Sequence, residues 1–405
     1  MTPSAARDYR SGVADGTPAS LVPHKVAFVT PGRVPHDDAV LEMLRREFAE
    51  LEVDPITVPS LLGRERRSLA FRVRNRLVAY REFGPLAVRR RRRISTYTPW
   101  TSYHFDTIRS AVAERFSGNA YAFTFQTESL FDASLAGLPH VVYTTHGVLA
   151  SLDYPGFDRR DLLPRSWIEL ETEIYRHASI VLTRSEHLAR ILVERYGCPP
   201  DKVFCVYSGG NAPPPPAPPA LDEARYAAKR ILFVGLRWEV KGGPQVVEAF
   251  RRVLEVHPDA SLTIVGCRPA VDLPNCRVVG FVPVADLPAY YEQASIYCVP
   301  SIREPFGCAF IEALAYGLPV VTTDFGAMPE FVRDGETGYR VPFGDIAALS
   351  ERLIALLDAA ALARRLGAGG YALTQERYNW ETTGARIRQH LERTLDHPEE
   401  SRDRR

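Results

Sequence analysis

Short apolar, β-branched runs alternate with longer helical patterns along almost the whole chain. In the first half the runs fall at 26–30, 53–58, 120–125, 140–145, 179–183 and 203–206. In the second half they fall at 231–235, 261–266, 277–280, 295–300, 320–323 and 339–341. Continuous apolar runs such as Ile231-Leu232-Phe233-Val234 fit strands covered on both faces. Strand–helix alternation predicts parallel sheets with helices on each side. Between the two sets lies a proline-rich stretch from Asn211 to Pro219, a stiff extended spacer that continues neither sheet nor helix. The pattern therefore predicts an α/β chain of two Rossmann-like, doubly wound domains facing across a cleft. The first is expected at 24–211 and the second at 229–375, with a linker at 212–228 and a last helix at 376–396. Segments 1–23 and 397–405 read as disordered. Ligands of such sheets bind at the C-terminal ends of the strands, which here line the cleft.

Composition narrows the class. Of 405 residues, 45% are hydrophobic and 24% charged, which excludes a disordered, collagenous or small disulfide-stapled protein. No stretch approaches the ~20 apolar residues needed to span a bilayer. Residues 1–23 hold no apolar run and carry Asp8 and Asp15, so no secretory leader is read and a cytoplasmic location is expected. Cysteines 198, 205, 267, 276, 298 and 308 lack CxxC spacing and are expected to be reduced thiols.

The net charge of +1 hides an asymmetry. Between Arg64 and Arg93 twelve arginines face only Glu65 and Glu82, a local +10 that leaves the remainder near −9. Leu69, Val73, Arg76, Leu77 and Tyr80 share helical spacing within this stretch. Two readings stay open: a basic amphipathic helix for an anionic membrane surface or polyanion, possible through Arg64–Arg93, or a solvated, salt-bridged helix pair inside one domain. Nucleic acid is not expected, because no binding motif accompanies the arginines.

The run 303–321 is the most informative. It places Glu304 and Glu312 with seven residues between them, Gly307 among these, and Gly317-Leu318-Pro319 behind. A helix is predicted from near Gly307 to Gly317, with Pro319 preventing continuation. The amides of Phe306, Gly307 and Cys308 then form an anion site favoured by the helix dipole. A nucleotide diphosphate placed there leaves both carboxylates free to accept from hydroxyls. Solvent-facing or arginine-paired glutamates are the other reading.

This stretch resembles the signature of glycosyltransferase family 4, a glutamate, seven residues and a second glutamate. The resemblance extends over most of 24–395. The segment 231–243 with Lys241-Gly242 looks like the family's strand, turn and lysine-glycine element. Segments 261–266 and 280–282 look like its next strand and turn, and 324–330 and 335–338 like two later turns. The segment 206–211 is similar to the family's exit from the first domain.

The resemblance implies a GT-B fold and a retaining enzyme that moves a hexose from a nucleotide sugar, with UDP preferred and GDP-mannose as the alternative. It implies no metal and no cofactor, because protein cations meet the leaving diphosphate. Lys241 fits one such cation. The family's arginine position is Leu236 here, with Arg237 one residue later as candidate replacement. Glu304 inherits contact with the donor sugar and Glu312 with the ribose; Phe306, Gly307 and Cys308 hold the diphosphate. The base is expected near Cys267, Arg268, Phe281 and Val282. His146 is expected at the reacting face, and Gly32, Arg33 and Glu128 on the acceptor side. The last helix is expected to pack back on the first domain. The implied acceptor is a carbohydrate or lipid-linked molecule, with the enzyme peripheral at the inner face of the membrane. Alternatives are a phosphorylase or a transferase with a soluble acceptor such as a sugar phosphate, and a non-catalytic polyanion- or membrane-binding protein.

Overall fold

A computed structural model describes residues 24–32, 35–63, 65–116 and 121–396. The expectations for 1–23, Arg33 and 397–405 lie outside these residues. The first sheet holds β1 (Lys25–Thr30), β2 (Glu52–Thr57), β3 (Tyr121–Thr127), β4 (His140–Thr144), β5 (Ile180–Thr183) and β6 (Val203–Cys205). The second holds β7 (Arg230–Val234), β8 (Ser261–Val265), β9 (Cys276–Gly280), β10 (Ile296–Cys298), β11 (Val320–Thr323) and β12 (Gly338–Val341). Their orders are β2-β1-β3-β4-β5-β6 and β12-β11-β10-β7-β8-β9, with parallel pairing throughout.

Each run read from the pattern contains a strand, and the differences are at the ends. The run at 53–58 stops at Thr57, whose hydroxyl accepts from the Ser60 amide at 3.2 Å while its own amide donates to Ser60 Oγ at 3.1 Å. That reciprocal cap opens the short helix Val58–Leu62. The strands are apolar on both faces because helices cover both: β4 and β5 are buried along their whole length. Helix Gly243–Val256 buries Val246, Ala249, Phe250 and Val253, an i, i+3, i+4, i+7 stripe, against the second sheet.

The expected linker is only partly a spacer. Asp222 caps a short helix, Glu223–Ala227, whose Tyr226 is fully buried and donates to the Gly317 carbonyl at 2.7 Å. Arg225 donates to the carbonyls of Ala294, Tyr316 and Tyr291. The later half of 212–228 is thus packed into the second domain, since a tyrosine and an arginine there find buried acceptors that prolines cannot use.

The last helix, Trp380–Asp396, packs against the first domain. Ile387 and Leu391 join the core beneath β1 and β3, and Arg388 pairs with Glu50. The ring of His390 stacks on Phe204 at 4.1 Å. Ile387→Ala is expected to destabilise the first domain by roughly 2–5 kcal/mol, because it empties a closed apolar site. A lowered urea midpoint for probes in the first domain checks this; an unchanged midpoint would mean the helix is only apposed.

Candidate active site

Strand order in the second sheet reverses between β7 and β10, and such a switch point is where an open parallel sheet admits a ligand. The loop leaving β7 carries Lys241 and the loop leaving β10 carries Glu304. They meet there, the ammonium against the carboxylate. Glu304 is buried and also accepts from Ser301 Oγ at 3.4 Å. A close-packed turn places Lys241: its amide donates to the Arg237 carbonyl at 2.9 Å, and the Ile302 amide donates to the Val240 carbonyl at 2.8 Å. Gly242 follows with φ +74, and a Cβ there would fall 2.0 Å from the Pro300 carbonyl oxygen. Only glycine allows the two loops this approach.

Gly307, at φ +105, caps the helix Cys308–Ala315 behind a buried Phe306. First-turn amides lack intrahelical partners and the dipole favours an anion. A cation, a carboxylate and a helix N-terminus therefore converge on one edge of the cleft.

Both carboxylates expected to accept from ligand hydroxyls have partners within the protein. Glu304 is taken by Lys241. Glu312 Oε1 accepts from the amides of Asn211 at 2.8 Å and Ala212 at 3.0 Å, and Oε2 accepts from the Tyr291 hydroxyl at 2.8 Å. Burial pushes the Glu312 carboxyl up, opposed by these three hydrogen bonds. A buried carboxylate must find donors, and the crossover between domains supplies them.

Arg237 is exposed and its side chain has no partner among the described residues, as is its neighbour Leu236. Lys241 is the cation held at the carboxylate. Cys267 and Val282 are half-buried beside the ends of β8 and β9, with Phe281 outward. Arg268 lies across Gly280, where an added Cβ would meet its Nε at 2.4 Å. Gly32 follows β1 with open space around it, at the first sheet's own reversal between β1 and β3.

His146 leaves the end of β4, half-buried. Its Nε2 lies 3.2 Å from Ser151 Oγ, and its ring stacks on Tyr154 at 5.8 Å. Burial, with the charge of nearby His187, pushes its pKa down to about 4, so the imidazole is neutral at pH 7. Tyr154 meets Phe325 of the second domain edge-on at 5.7 Å, and Arg303 lies 5.6 Å over the Phe157 ring. Glu128, at φ +64, is half-buried. It accepts from Thr145 Oγ1 at 2.7 Å and from Arg184 at 3.3 Å.

Sequence reading missed three residues. Glu171 is buried and accepts from the Val148 amide at 3.0 Å, Ser129 Oγ at 2.8 Å and the Tyr175 hydroxyl at 3.3 Å, with the Tyr196 hydroxyl as fourth partner. It thereby fixes the His146–Val148 loop. An acid at i+4 from Trp167 and i−3 from Ile174, on one apolar helix face, was the available signal. Arg184 is buried at the end of β5, stacked 4.7 Å over Tyr143. Glu330 crosses the cleft to accept from the amides of Glu186 at 2.9 Å and His187 at 2.8 Å. Among the described residues no group of three or more His, Cys, Asp or Glu gathers as a metal site.

Comparison with known proteins bears on the same two halves. Residues 15–211 match the family described as Glycosyltransferase Family 4, and residues 224–373 match Glycosyl transferases group 1. The phosphatidyl-myo-inositol mannosyltransferase of Mycobacterium leprae is 37% identical over 169 residues, 39% of this chain and 45% of that protein. The chain thus spans about half the length of the mycobacterial relatives it matches. The D-inositol 3-phosphate glycosyltransferase of Corynebacterium aurimucosum is 28% identical over 287 residues, 64% of this chain and 66% of that one. Among solved structures, sucrose-phosphate synthase of Thermosynechococcus elongatus superposes with a TM-score of 0.60 at 21% identity, covering 73% of this chain and 78% of that one. Anabaena Alr3699/HepE, in complex with UDP and glucose, gives 0.60 at 15% identity, covering 91% and 99%. The two-domain arrangement is the GT-B fold.

Burial also holds His104 and His140 down to about 4, against 6.5 when free. Between these values the unfolded chain binds protons that the folded chain refuses, so stability falls as pH drops through that window. Urea midpoints are expected to decline steadily from about pH 6.5 toward about 4, and His146→Gln to flatten the slope. A flat profile in the parent chain would contradict the neutral, buried imidazoles.

Proposed function

The chain belongs to glycosyltransferase family 4, and from that membership we propose that it is a retaining hexosyltransferase. It moves a hexose from a nucleotide-diphosphate sugar, UDP-linked by preference and GDP-mannose as alternative, to a lipid-linked, polysaccharide or glycoconjugate acceptor. The observation that carries this reading is the Lys241–Glu304 pair beside the N-terminus of the Cys308–Ala315 helix at the switch point. A bound diphosphate takes Lys241 and the helix amides, and Glu304 is released to accept from hydroxyls of the donor sugar. The bond from the anomeric carbon to the phosphate oxygen breaks, and the acceptor oxygen bonds the same face. The acceptor's proton passes to the departing phosphate. Neutral His146 faces the sugar as a hydrogen-bond partner. Charge stabilisation, not an acid–base pair, carries the rate, and one well-placed donor contributes about 2.7–4 kcal/mol. The reading requires no metal.

The UDP and glucose named with the Anabaena structure support the donor class. The mycobacterial relative's name supports a lipid acceptor and a mannosyl donor. Work at a membrane surface belongs to this reading. The Corynebacterium relative's name favours a soluble sugar or cyclitol phosphate as second reading.

Lys241→Met and Glu304→Gln are each expected to lower transfer by roughly 10²–10³-fold. The double variant, which leaves no unpaired buried charge, is expected to be equally inactive with unchanged thermal unfolding. Full activity in both single variants would overturn the assignment. UDP, GDP and ADP at one hundred times the dissociation constant are compared in parallel; the cognate nucleotide is expected to add about 2.7 kcal/mol. NMR of the product reads the anomeric configuration, a chelator tests metal independence, and paired lipid and soluble acceptors separate the two acceptor readings.

A further inference from the structure

The helix Leu69–Arg89 presents its apolar row to solvent. Leu69, Val73, Leu77, Tyr80 and Val88 are between 51% and 81% exposed, and they are five of the ten large hydrophobic residues exposed among those described. The opposite face is packed: Phe71, Asn75, Ala79, Phe83, Leu86 and Ala87 are buried. Asn75 fixes the rotation, donating to the Thr98 carbonyl at 2.9 Å and accepting from Thr101 Oγ1.

At 100° per residue, Arg72 and Arg76 border the apolar row on one side and Arg74 and Arg81 on the other. Arg91, Arg92 and Arg93 follow its C-terminal end. Arg74 stacks 4.5 Å over Tyr103, Arg89 pairs with Asp158 and Asp161, and Arg90 donates to the Asp161 carbonyl. Arg72, Arg76, Arg81, Arg91, Arg92 and Arg93 have no acidic partner among the described residues and are exposed. No helix among these residues is long and apolar enough to cross a membrane.

We propose that the outward face of this helix lies on an anionic bilayer surface. Its apolar row rests in the headgroup–acyl boundary and its arginines on lipid phosphates. The proposal rests on the reading of a lipid-linked acceptor and names the surface that brings the cleft to it. Charge selects the occupant. A two-fold pairing of copies through this face would bring the unpaired guanidinium groups of each copy against those of the other. A soluble polyanion would satisfy the arginines and leave the apolar row in water. An anionic bilayer meets both requirements.

Co-sedimentation of the full chain with vesicles tests this, using phosphatidylcholine alone and phosphatidylcholine with an equal part of phosphatidylglycerol. Binding is expected to the mixed vesicles and to weaken with salt. Arg72→Gln/Arg76→Gln/Arg81→Gln is expected to weaken it on the order of a hundredfold, and Leu69→Ser/Val73→Ser/Leu77→Ser by roughly tenfold or more. Both variants should keep the nucleotide-induced thermal shift of the parent, which shows that they fold. The proposal is overturned if the parent ignores the mixed vesicles. It is also overturned if the serine variant binds undiminished, which marks a soluble polyanion site. Loss of a dimer in that variant, read by sedimentation velocity, would assign the face to a second copy. Vesicle binding by a parent chain that no nucleotide stabilises would sink the transferase reading and leave this surface standing.

Discussion

Two carboxylates of the second domain accept amides from across the domain boundary, and the position of the cleft follows from them. Glu312 takes Asn211 and Ala212 of the crossover, and Glu330 takes Glu186 and His187 at the start of a first-domain helix. A carboxylate removed from water is costly unless donors replace its hydration, so each of these holds whatever supplies its amides. The crossover is clamped from the other side too: His36 Nδ1 lies 3.1 Å from Asn211 Oδ1, and Trp380 Nε1 donates to the Gly210 carbonyl at 2.8 Å. At Gly210 an added Cβ would fall 2.7 Å from Glu312 Cγ, so the crossover has no room for a side chain there. The two switch points therefore face each other across hydrogen bonds to a buried carboxylate, Glu312, and a half-buried one, Glu330, as well as across apolar contact.

Within that frame the Lys241–Glu304 pair is a partner held in reserve. Each member satisfies the other's charge. On the proposed reading each also matches half of what a nucleotide sugar presents, anionic phosphate to one and hydroxyls to the other, so that binding would exchange partners without leaving a bare charge beside the apolar wall of Phe306 and Phe310. The other side of the cleft is built in the same way, with Glu171 fastening the His146 loop through two hydroxyls and an amide.

The twelve strands were legible because parallel strands covered on both faces must be apolar at nearly every position, which leaves blocks such as 231–234 unmistakable. The helix at Cys308 was legible from its glycines and proline. Orientation was less so. The periodicity of Leu69, Val73, Leu77 and Tyr80 marks a face without saying whether that face turns inward, and the buried side is carried by Phe71, Ala79 and Phe83 in an arginine-rich background. The hydrogen-bond partners of Glu312 were hidden for a different reason. Its spacing to Glu304 is visible in the sequence, while its amide partners lie one hundred residues upstream and come close only through the crossover. Leu236 in place of an arginine was visible, but that Arg237 finds no partner is a matter of geometry alone.

The arginine-rich helix faces two environments, and its buried side connects it to the chemistry. Ala79, Phe83 and Trp167 form one apolar cluster with Val148, two residues beyond His146. The C-terminal end of the helix holds Asp158 and Asp161 through Arg89 and Arg90, on the stretch that also carries Tyr154 and Phe157 to the second domain. Close-packed interiors pass displacement from one neighbour to the next. The arginine-rich helix and the His146 loop thus share one packed cluster, through the buried Ala79, Phe83 and Trp167 and the half-buried Val148.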